Sequence, residues 1–248
     1  FYGVAVSTGE GKNLNESNAI VDKVDLIGRI GANFATFANK PNMVMHTALA
    51  FSDGTLRGNS AAPSFRTEAR GNTLFSSGNL GSSATDEVDR TRMGAEAALA
   101  FGPVKLQAEY AKVDFDGGTS ADDRSLKAYY VSLNWLVTGE KWADAYRAGA
   151  FSRIKPIKNF KPGGDGKGAW ELGVRMSKFD AGDFVGAGIS NNRTDEATGI
   201  TLGVKWLPTP NTRFLLNVVR TKFDDDLTLG GEVTDTEKAV TLRAQFDF

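Results

Sequence analysis

The chain has 248 residues, and its 29 lysines and arginines nearly balance its 30 aspartates and glutamates. This charge balance gives no indication of a nucleic-acid partner, and the length suits one large β domain or two small ones. The sequence contains no cysteine, which excludes disulfides, thiol catalysis and thiolate metal sites. No apolar run approaches the roughly 20 residues of a membrane helix.

The first fifty residues alternate between apolar and polar side chains. Phe1 to Ser7 predicts a strand, followed by a polar loop over Thr8 to Ser17. Val24 to Phe34 again has period two, and so does Met45 to Ser52, after the turn signal at Lys40 to Asn42. In the second and third strands one face is apolar and the other is small or polar.

The region that follows is less regular. A weaker strand is predicted over Phe65 to Arg70, with Arg66, Glu68 and Arg70 on one face, and the polar residues from Asn72 to Asp89 predict a long loop. Alternation then returns, and two strands joined by Gly102-Pro103 predict a hairpin. The predicted strands of this middle part are Met93 to Phe101, Val104 to Tyr110 and Tyr129 to Val137.

The last part of the chain contains one irregular stretch and four clear strands. A single strand near Arg147 to Ile154 is predicted within the stretch from Gly139 to Gly168, before a loop rich in glycine and lysine. A loop is also predicted over Asp224 to Glu237. The four clear strands are Trp170 to Ser177, Ile200 to Trp206, Arg213 to Val218 and Lys238 to Phe248.

About a dozen strands are therefore predicted, most of about nine to eleven residues, which is the length at which tilted strands cross a bilayer. A soluble sandwich uses strands nearer to five or six residues, and in that alternative the apolar face is simply the core. Aromatic residues lie at strand ends or on apolar faces, as in the girdles of membrane barrels. The sequence predicts an all-β fold, a transmembrane antiparallel β-barrel, as one domain over residues 1–248.

Residues with catalytic or metal-binding chemistry are few. His46 is the single histidine, so any Ser/His/Asp triad must use it. Its position on the polar face predicts a lumen-lining or hydrogen-bonded role instead. Gly163 to Gly168 lacks the spacing of a phosphate-binding P-loop, and the acidic run at Asp224 to Asp226 is expected to be solvated. We therefore predict no enzyme activity, no cofactor and no metal site.

Cations exceed anions on the predicted polar faces. Six carboxylates share that parity: Asp25, Glu68, Glu96, Glu109, Glu171 and Asp247. Ten arginines and lysines also have this inward parity, which leaves an excess of four positive charges. Rings of arginine and lysine favour anions in pores. Salt-bridged pairs that stiffen the wall are the alternative interpretation. The predicted pore-lining, anion-attracting residues are Arg29, Arg66, Arg70, Arg92, Lys105, Arg175, Lys205, Arg213 and Arg243, and Arg90 is the tenth cation.

Several stretches, in the same order along the chain, resemble the phosphate-selective porin family (porin O/P type) of Gram-negative outer membranes. They are FYGVAVSTGEG at Phe1 to Gly11, FGPVKLQAEY at Phe101 to Tyr110, YYVSLNWLVTGE at Tyr129 to Glu140, GAFSRIKP at Gly149 to Pro156, GAWELGVRMS at Gly168 to Ser177, and the terminal RAQFDF. Each stretch alone is a weak signal, and together they cover nearly the whole chain.

The resemblance implies a homotrimer of 16-stranded barrels in the bacterial outer membrane, in contact with membrane lipid and lipopolysaccharide. The implied function is passive diffusion of small hydrophilic solutes, with a preference for anions such as phosphate. The alternative is a plugged barrel without channel activity that contacts a partner. Because family members are longer, leading strands, an inward-folded loop and much of an arginine-lined constriction are expected to precede Phe1.

Overall fold

The structure is a computed structural model that describes residues 1–7, 24–57, 63–81, 83, 86–117, 123–184 and 193–247. The predicted loop over residues 8–17 and the terminal Phe248 lie outside these residues. None of the helices in the described part is long and apolar enough to cross a membrane.

Strands dominate the fold. The described strands are β1 (Tyr2–Ser7), β2 (Asp25–Asn33), β3 (Met43–Arg57), β4 (Ser64–Arg66), β5 (Thr73–Ser76), β6 (Glu87–Phe101), β7 (Val104–Gly117), β8 (Arg124–Leu136), β9 (Tyr146–Arg147), β10 (Ala150–Phe151), β11 (Ala169–Asp180), β12 (Glu196–Thr209), β13 (Thr212–Leu229) and β14 (Glu232–Phe246). One helical turn, α1 (Phe34–Phe37), follows β2, and short 3-10 turns lie at Trp142–Ala145 and Gly182–Phe184.

Ten strands form one antiparallel sheet in the order β1-β2-β3-β6-β7-β8-β11-β12-β13-β14. Each strand pairs with the next long strand along the chain, so the sheet is a meander, and β1 and β14 form its edges within the described residues. The all-β antiparallel fold is confirmed.

Two of the predicted strands lie outside this sheet, so their assignment to the wall was wrong. The strand predicted over Phe65 to Arg70 ends at Arg66 and pairs with β5, and Arg70 has a φ of 57°. The strand predicted near Arg147 to Ile154 is interrupted by Ala148 and Gly149, whose φ values are 46° and 84°. Left-handed backbone ends an extended strand, so each segment folds back as a small hairpin.

The prediction of a loop over Asp224 to Glu237 was also wrong. The last two strands continue through this region and turn only at Gly230 and Gly231, with φ values of 62° and 93°. A register shift between Lys222 and Leu227 holds the acidic run as a bulge in β13. A two-glycine hairpin turn therefore replaces a long loop.

The sheet has one apolar outer face and one mixed inner face. Burial alternates along the strands, so that Leu202 is 57% exposed while its neighbours Thr201 and Gly203 point inward. The register aligns the outward side chains across eight strands. One such row is Met45, Leu99, Leu106, Leu133, Val174, Leu202, Val218 and Val240. Aromatic residues continue the outer face toward the short turns, where Trp170 and Trp206 stack at 5.6 Å.

Two segments cover parts of the inner face. The 63–81 segment, which contains β4 and β5, packs Leu74, Phe75 and Leu80 against inward residues such as Val88 and Phe223 at the long-loop end. The 138–168 segment packs Trp142, Ala145 and Ile154 against other inward residues, at the short-turn end. Inward-folded segments therefore lie within the chain itself, whereas the family resemblance implied such a loop before Phe1.

Candidate functional site: the charged inner wall

Arg29 on β2 lies in an ion-paired network. Its Nε donates to Glu96 Oε1 at 2.7 Å, and its Nη2 donates to the carbonyl oxygen of Gly149 at 3.0 Å. His46 is buried beside this pair, with Nδ1 2.8 Å from the Tyr146 hydroxyl and Nε2 3.6 Å from Glu96 Oε2. Since Tyr146 and Gly149 belong to the 138–168 segment, these wall residues attach that segment to β2, β3 and β6.

Asp25 forms the second ion-paired group. Its Oδ2 accepts from Arg90 at 2.7 Å and from Arg92 at 3.0 Å, and the residue is 2% exposed. A Cβ on Gly54 would lie 1.6 Å from Asp25 Oδ1, so the glycine makes room for this carboxylate. Arg92 also donates from Nε to Ser52 at 2.7 Å. Arg92 therefore shares one buried carboxylate with Arg90, which offsets one of their two positive charges.

Lys105 is covered rather than open to the lumen. It is 8% exposed, and its Nζ donates to Gln107 at 3.0 Å and lies 4.2 Å from the centre of the Trp142 ring. Phe151 provides a second ring, at 4.6 Å. Sequence parity identified the inward direction correctly but had no information on the 138–168 segment, which lies over this lysine.

Arg175 and Lys205 line an open cleft of about 490 Å³ on β8 and β11 to β14, between the two inward segments. Arg175 Nε lies 3.2 Å from Glu68, and its guanidinium carbon lies 4.1 Å from the centre of the Tyr130 ring. Lys205 Nζ lies 2.5 Å from Glu171, which also accepts from Asn134. Both cations thus face solvent with a carboxylate beside them.

Arg213 and Arg243 differ from the others in their partner. Arg213 Nη2 and Arg243 Nη2 donate to the same oxygen, Gln245 Oε1, at 2.7 and 2.9 Å. Within the described ranges, no carboxylate lies at ion-pair distance from either guanidinium. An amide oxygen satisfies hydrogen bonds without cancelling charge, so two positive charges are held together on the inner face beside the cleft.

Arg66 and Arg70 do not lie on a wall strand. Arg66 ends β4, and Arg70 follows in the turn between β4 and β5, so the two residues belong to the 63–81 segment. Glu68 between them contacts Arg175 and accepts from Thr201 at 2.6 Å. Asn72 of the same segment hydrogen-bonds Glu237 on β14. The segment therefore reaches across the inner face from β3 to the last strand.

The sequence identified several of the inward cations but not the side chains that bind them. Gln245 shares the parity of Arg243 and Asp247 in the sequence, but nothing in the local pattern shows that it joins two arginines. Glu68 lies 107 positions before Arg175 in the sequence, and the pairing depends on the path of the 63–81 segment. The inward parity of Gln245, between Arg243 and Asp247, was the one signal that could have identified it.

The sequence model of a known family, described as phosphate-selective porin O and P, matches residues 36–248. The chain belongs to that family. No match was found among curated proteins. The match spans β3 to β14, so it includes both inward segments and the two arginines that donate to Gln245. Porin O/P proteins form a family of outer-membrane channels rather than a class of enzymes.

Proposed function

We propose that this porin O/P chain forms a channel for passive diffusion of small hydrophilic solutes, with a preference for anions such as phosphate. In this proposal the ten strands are part of a trimeric 16-stranded barrel in the outer membrane of a Gram-negative bacterium. The apolar outer face contacts membrane lipid and lipopolysaccharide. Family membership supports the channel function, and the charge arrangement of the inner wall supports the anion preference.

The observation that carries the anion preference is the Arg213–Gln245–Arg243 group. Two guanidinium groups share one neutral acceptor, with hydrogen-bond donors left for a solute. A phosphate or carboxylate that replaces the shared amide accepts charge-assisted hydrogen bonds from both. We therefore assign the strongest attraction among the nine predicted cations to Arg213 and Arg243. Arg29 and Arg92, with carboxylate partners, contribute less.

The test is the reversal potential of the full-length protein in a planar bilayer under a KCl gradient. We expect a potential on the chloride side, clearer in dilute salt than in 1 M salt because the Debye length falls from about 8 Å at physiological ionic strength to about 3 Å. Changing Arg213→Gln together with Arg243→Gln should move the potential toward potassium.

The matched control removes the same number of charges elsewhere. Arg29→Gln together with Glu96→Gln should leave the reversal potential close to that of the wild type, because the two changes remove one cation and one anion of the same ion pair and the net charge of the wall is unchanged. Equal shifts for the two double variants would contradict the assignment to Arg213 and Arg243. A cation-selective wild type would contradict the anion preference itself.

The second candidate function is a plugged barrel that contacts a partner. It is favoured by one observation, namely that the 63–81 and 138–168 segments cover the inner face at its two ends. The open cleft between them favours the channel. Single-channel recording separates the two functions, because a plugged barrel gives no conductance steps.

A further inference from the structure

The outer face changes from apolar to charged at one level along the strands, toward the long-loop end. The first cations beyond the apolar residues form what we call the basic belt, and all of them lie on the outward parity of their strands. The belt consists of Lys112, Lys127, Lys178, Arg220, Lys222 and Lys238. Its two halves differ in how their charge is balanced.

In the half on β7, β8 and β11, each lysine has a carboxylate beside it. Lys112 Nζ lies 2.7 Å from Asp114, and Lys178 Nζ lies 2.8 Å from Glu196. Lys127 stands directly opposite Asp180 in the β8–β11 register and directly opposite Lys112 in the β7–β8 register, and the three lysines and their three carboxylates lie together on this half. This half of the belt is therefore balanced within the chain.

The half on β13 and β14 is a cluster of three cations. Arg220 stands directly opposite Lys238, and Lys222 follows two residues later on the same face. Val219 and Thr221 are 4% and 3% exposed, which confirms that Arg220 and Lys222 point outward. Like charges directly opposite each other across an antiparallel pair are destabilising.

Neighbouring outward positions do not balance this cluster. Arg220 faces Ile200 on β12, and Lys222 faces Thr198 and Thr236. The nearest outward carboxylate along β13 is Asp224, at the bulge, and in the described part of the chain no ion pair joins it to Lys222. Three cations thus stand together with an unbalanced charge.

Apolar residues begin immediately beyond the cluster. Val218 and Val240 are opposite each other, one outward position from Arg220 and Lys238, and they are 51% and 70% exposed. A ligand that contacts both features must carry anionic groups next to hydrocarbon chains. A free anion does not cover the valines, whereas a phosphorylated lipid covers both.

We propose that Arg220, Lys222 and Lys238 form a binding site for the phosphate groups of a phosphorylated glycolipid headgroup, with its acyl chains on Val218 and Val240. The site rests on the proposed membrane location, and it is separate from the inner-wall residues assigned to solute passage. Clusters of cations at a membrane surface bind anionic headgroups in this way.

The test uses the full-length purified protein and bisphosphorylated lipid A as the probe, with binding followed by native mass spectrometry. The variant combines Arg220→Gln, Lys222→Gln and Lys238→Gln, which removes three charges. We expect its affinity for the probe to fall about 100-fold. Dephosphorylated lipid A should bind the wild type as weakly as the probe binds the variant.

The control variant combines Lys112→Gln, Lys127→Gln and Lys178→Gln, which removes three charges from the balanced half. It should bind the probe with an affinity within about threefold of the wild type, because these lysines lie on other strands than Arg220 and Lys238 and salt screens charges at an exposed surface. Equal losses in the two triple variants, or no loss in either, would overturn the proposal. Displacement of lipid A by excess inorganic phosphate would also overturn it, by assigning the site to a free anion.

Two further measurements distinguish the lipid site from a subunit interface and from the channel function. If the β13–β14 variant loses its oligomeric state while its affinity for lipid A stays unchanged, the cluster is a subunit interface and the proposal is wrong. Conductance in a planar bilayer tests the channel function alone, and we expect it to be the same for both triple variants and the wild type. A protein that binds lipid A as expected but never conducts refutes the channel and leaves the lipid site standing.

Discussion

The inner faces of the early and late strands of the sheet both carry arginines, but they hold them with different partners. On β2 and β6, the Asp25 and Glu96 carboxylates accept from Arg29, Arg90 and Arg92. On β13 and β14, the amide of Gln245 accepts from two arginines. A carboxylate cancels charge and adds rigidity, whereas an amide orients the guanidinium groups and leaves their charge. The early strands therefore serve stability, and the late strands serve the proposed attraction of anions.

The largest effect is expected from Asp25→Asn. The substitution removes the buried carboxylate from Arg90 and Arg92, and breaking a buried pair by removing one partner costs about 3–5 kcal/mol. The free energy of unfolding in urea, followed by the heat-modifiable mobility of the folded barrel on gels, checks this value. Gly54→Ala should also destabilise the protein, because its Cβ would collide with the same carboxylate. A loss below about 1 kcal/mol for Asp25→Asn would contradict the role assigned to this pair.

A smaller effect is expected from Glu96→Gln. This change removes the negative charge from the acceptor of Arg29, and hydrogen bonds to charged groups contribute about 1.5–3 kcal/mol. Arg29 then donates to an amide oxygen, as Arg213 does. The reversal potential should therefore move further toward chloride while the stability falls. An unchanged potential would show that solutes do not sense the charge of Arg29.

Gln245→Glu makes the late strands resemble the early ones. The new carboxylate should pair with Arg213 and Arg243 and change the stability by no more than about 1 kcal/mol, because these side chains are partly exposed. The reversal potential should move toward potassium by about half as much as in the Arg213 and Arg243 double variant, because one charge is changed instead of two. If the reversal potential does not move with this substitution, these two arginines are not the source of the anion preference.

The smallest effect on stability is expected from Asp247→Asn. Asp247 lies 3.1 Å from Arg153, and the two side chains are 32% and 45% exposed. Exposed pairs contribute about 0–1 kcal/mol, so the unfolding free energy should stay within that range of the wild type. A larger loss would indicate that the pair anchors the 138–168 segment to the last strand. Arg153→Gln is the matched variant and should give the same result.

The face of each side chain in ten strands was predictable, because period two is a local property of the sequence. His46, Lys105 and Gln245 all point inward as their parity indicated. The two incorrect strand predictions, over Phe65 to Arg70 and near Arg147 to Ile154, also have a local cause. Ala148 and Arg70 adopt left-handed backbone, and neither is a glycine that would have signalled the turn. The assignment of individual residues to the pore remains a prediction.

The partner of each inward cation was not predictable, because partners come from distant parts of the chain. Glu96 is 67 positions from Arg29, and Glu68 reaches Arg175 only because the 63–81 segment crosses the inner face. The count of ten cations against six carboxylates gave every cation the same weight, and it placed Arg66, Glu68 and Arg70 on the wall although they belong to the 63–81 segment. The structure divides them into neutralised, covered and charged groups.

The sequence by itself determined the class of fold and the two faces of the sheet, since alternation is a local property of the sequence. Only the tertiary structure decided which charges remain effective. The 138–168 segment covers Lys105. Asp25 and Glu96 offset two of the three positive charges of Arg29, Arg90 and Arg92, and Gln245 joins Arg213 to Arg243. Coulomb interactions depend on distance and burial, and neither quantity is set until the segments fold onto the sheet.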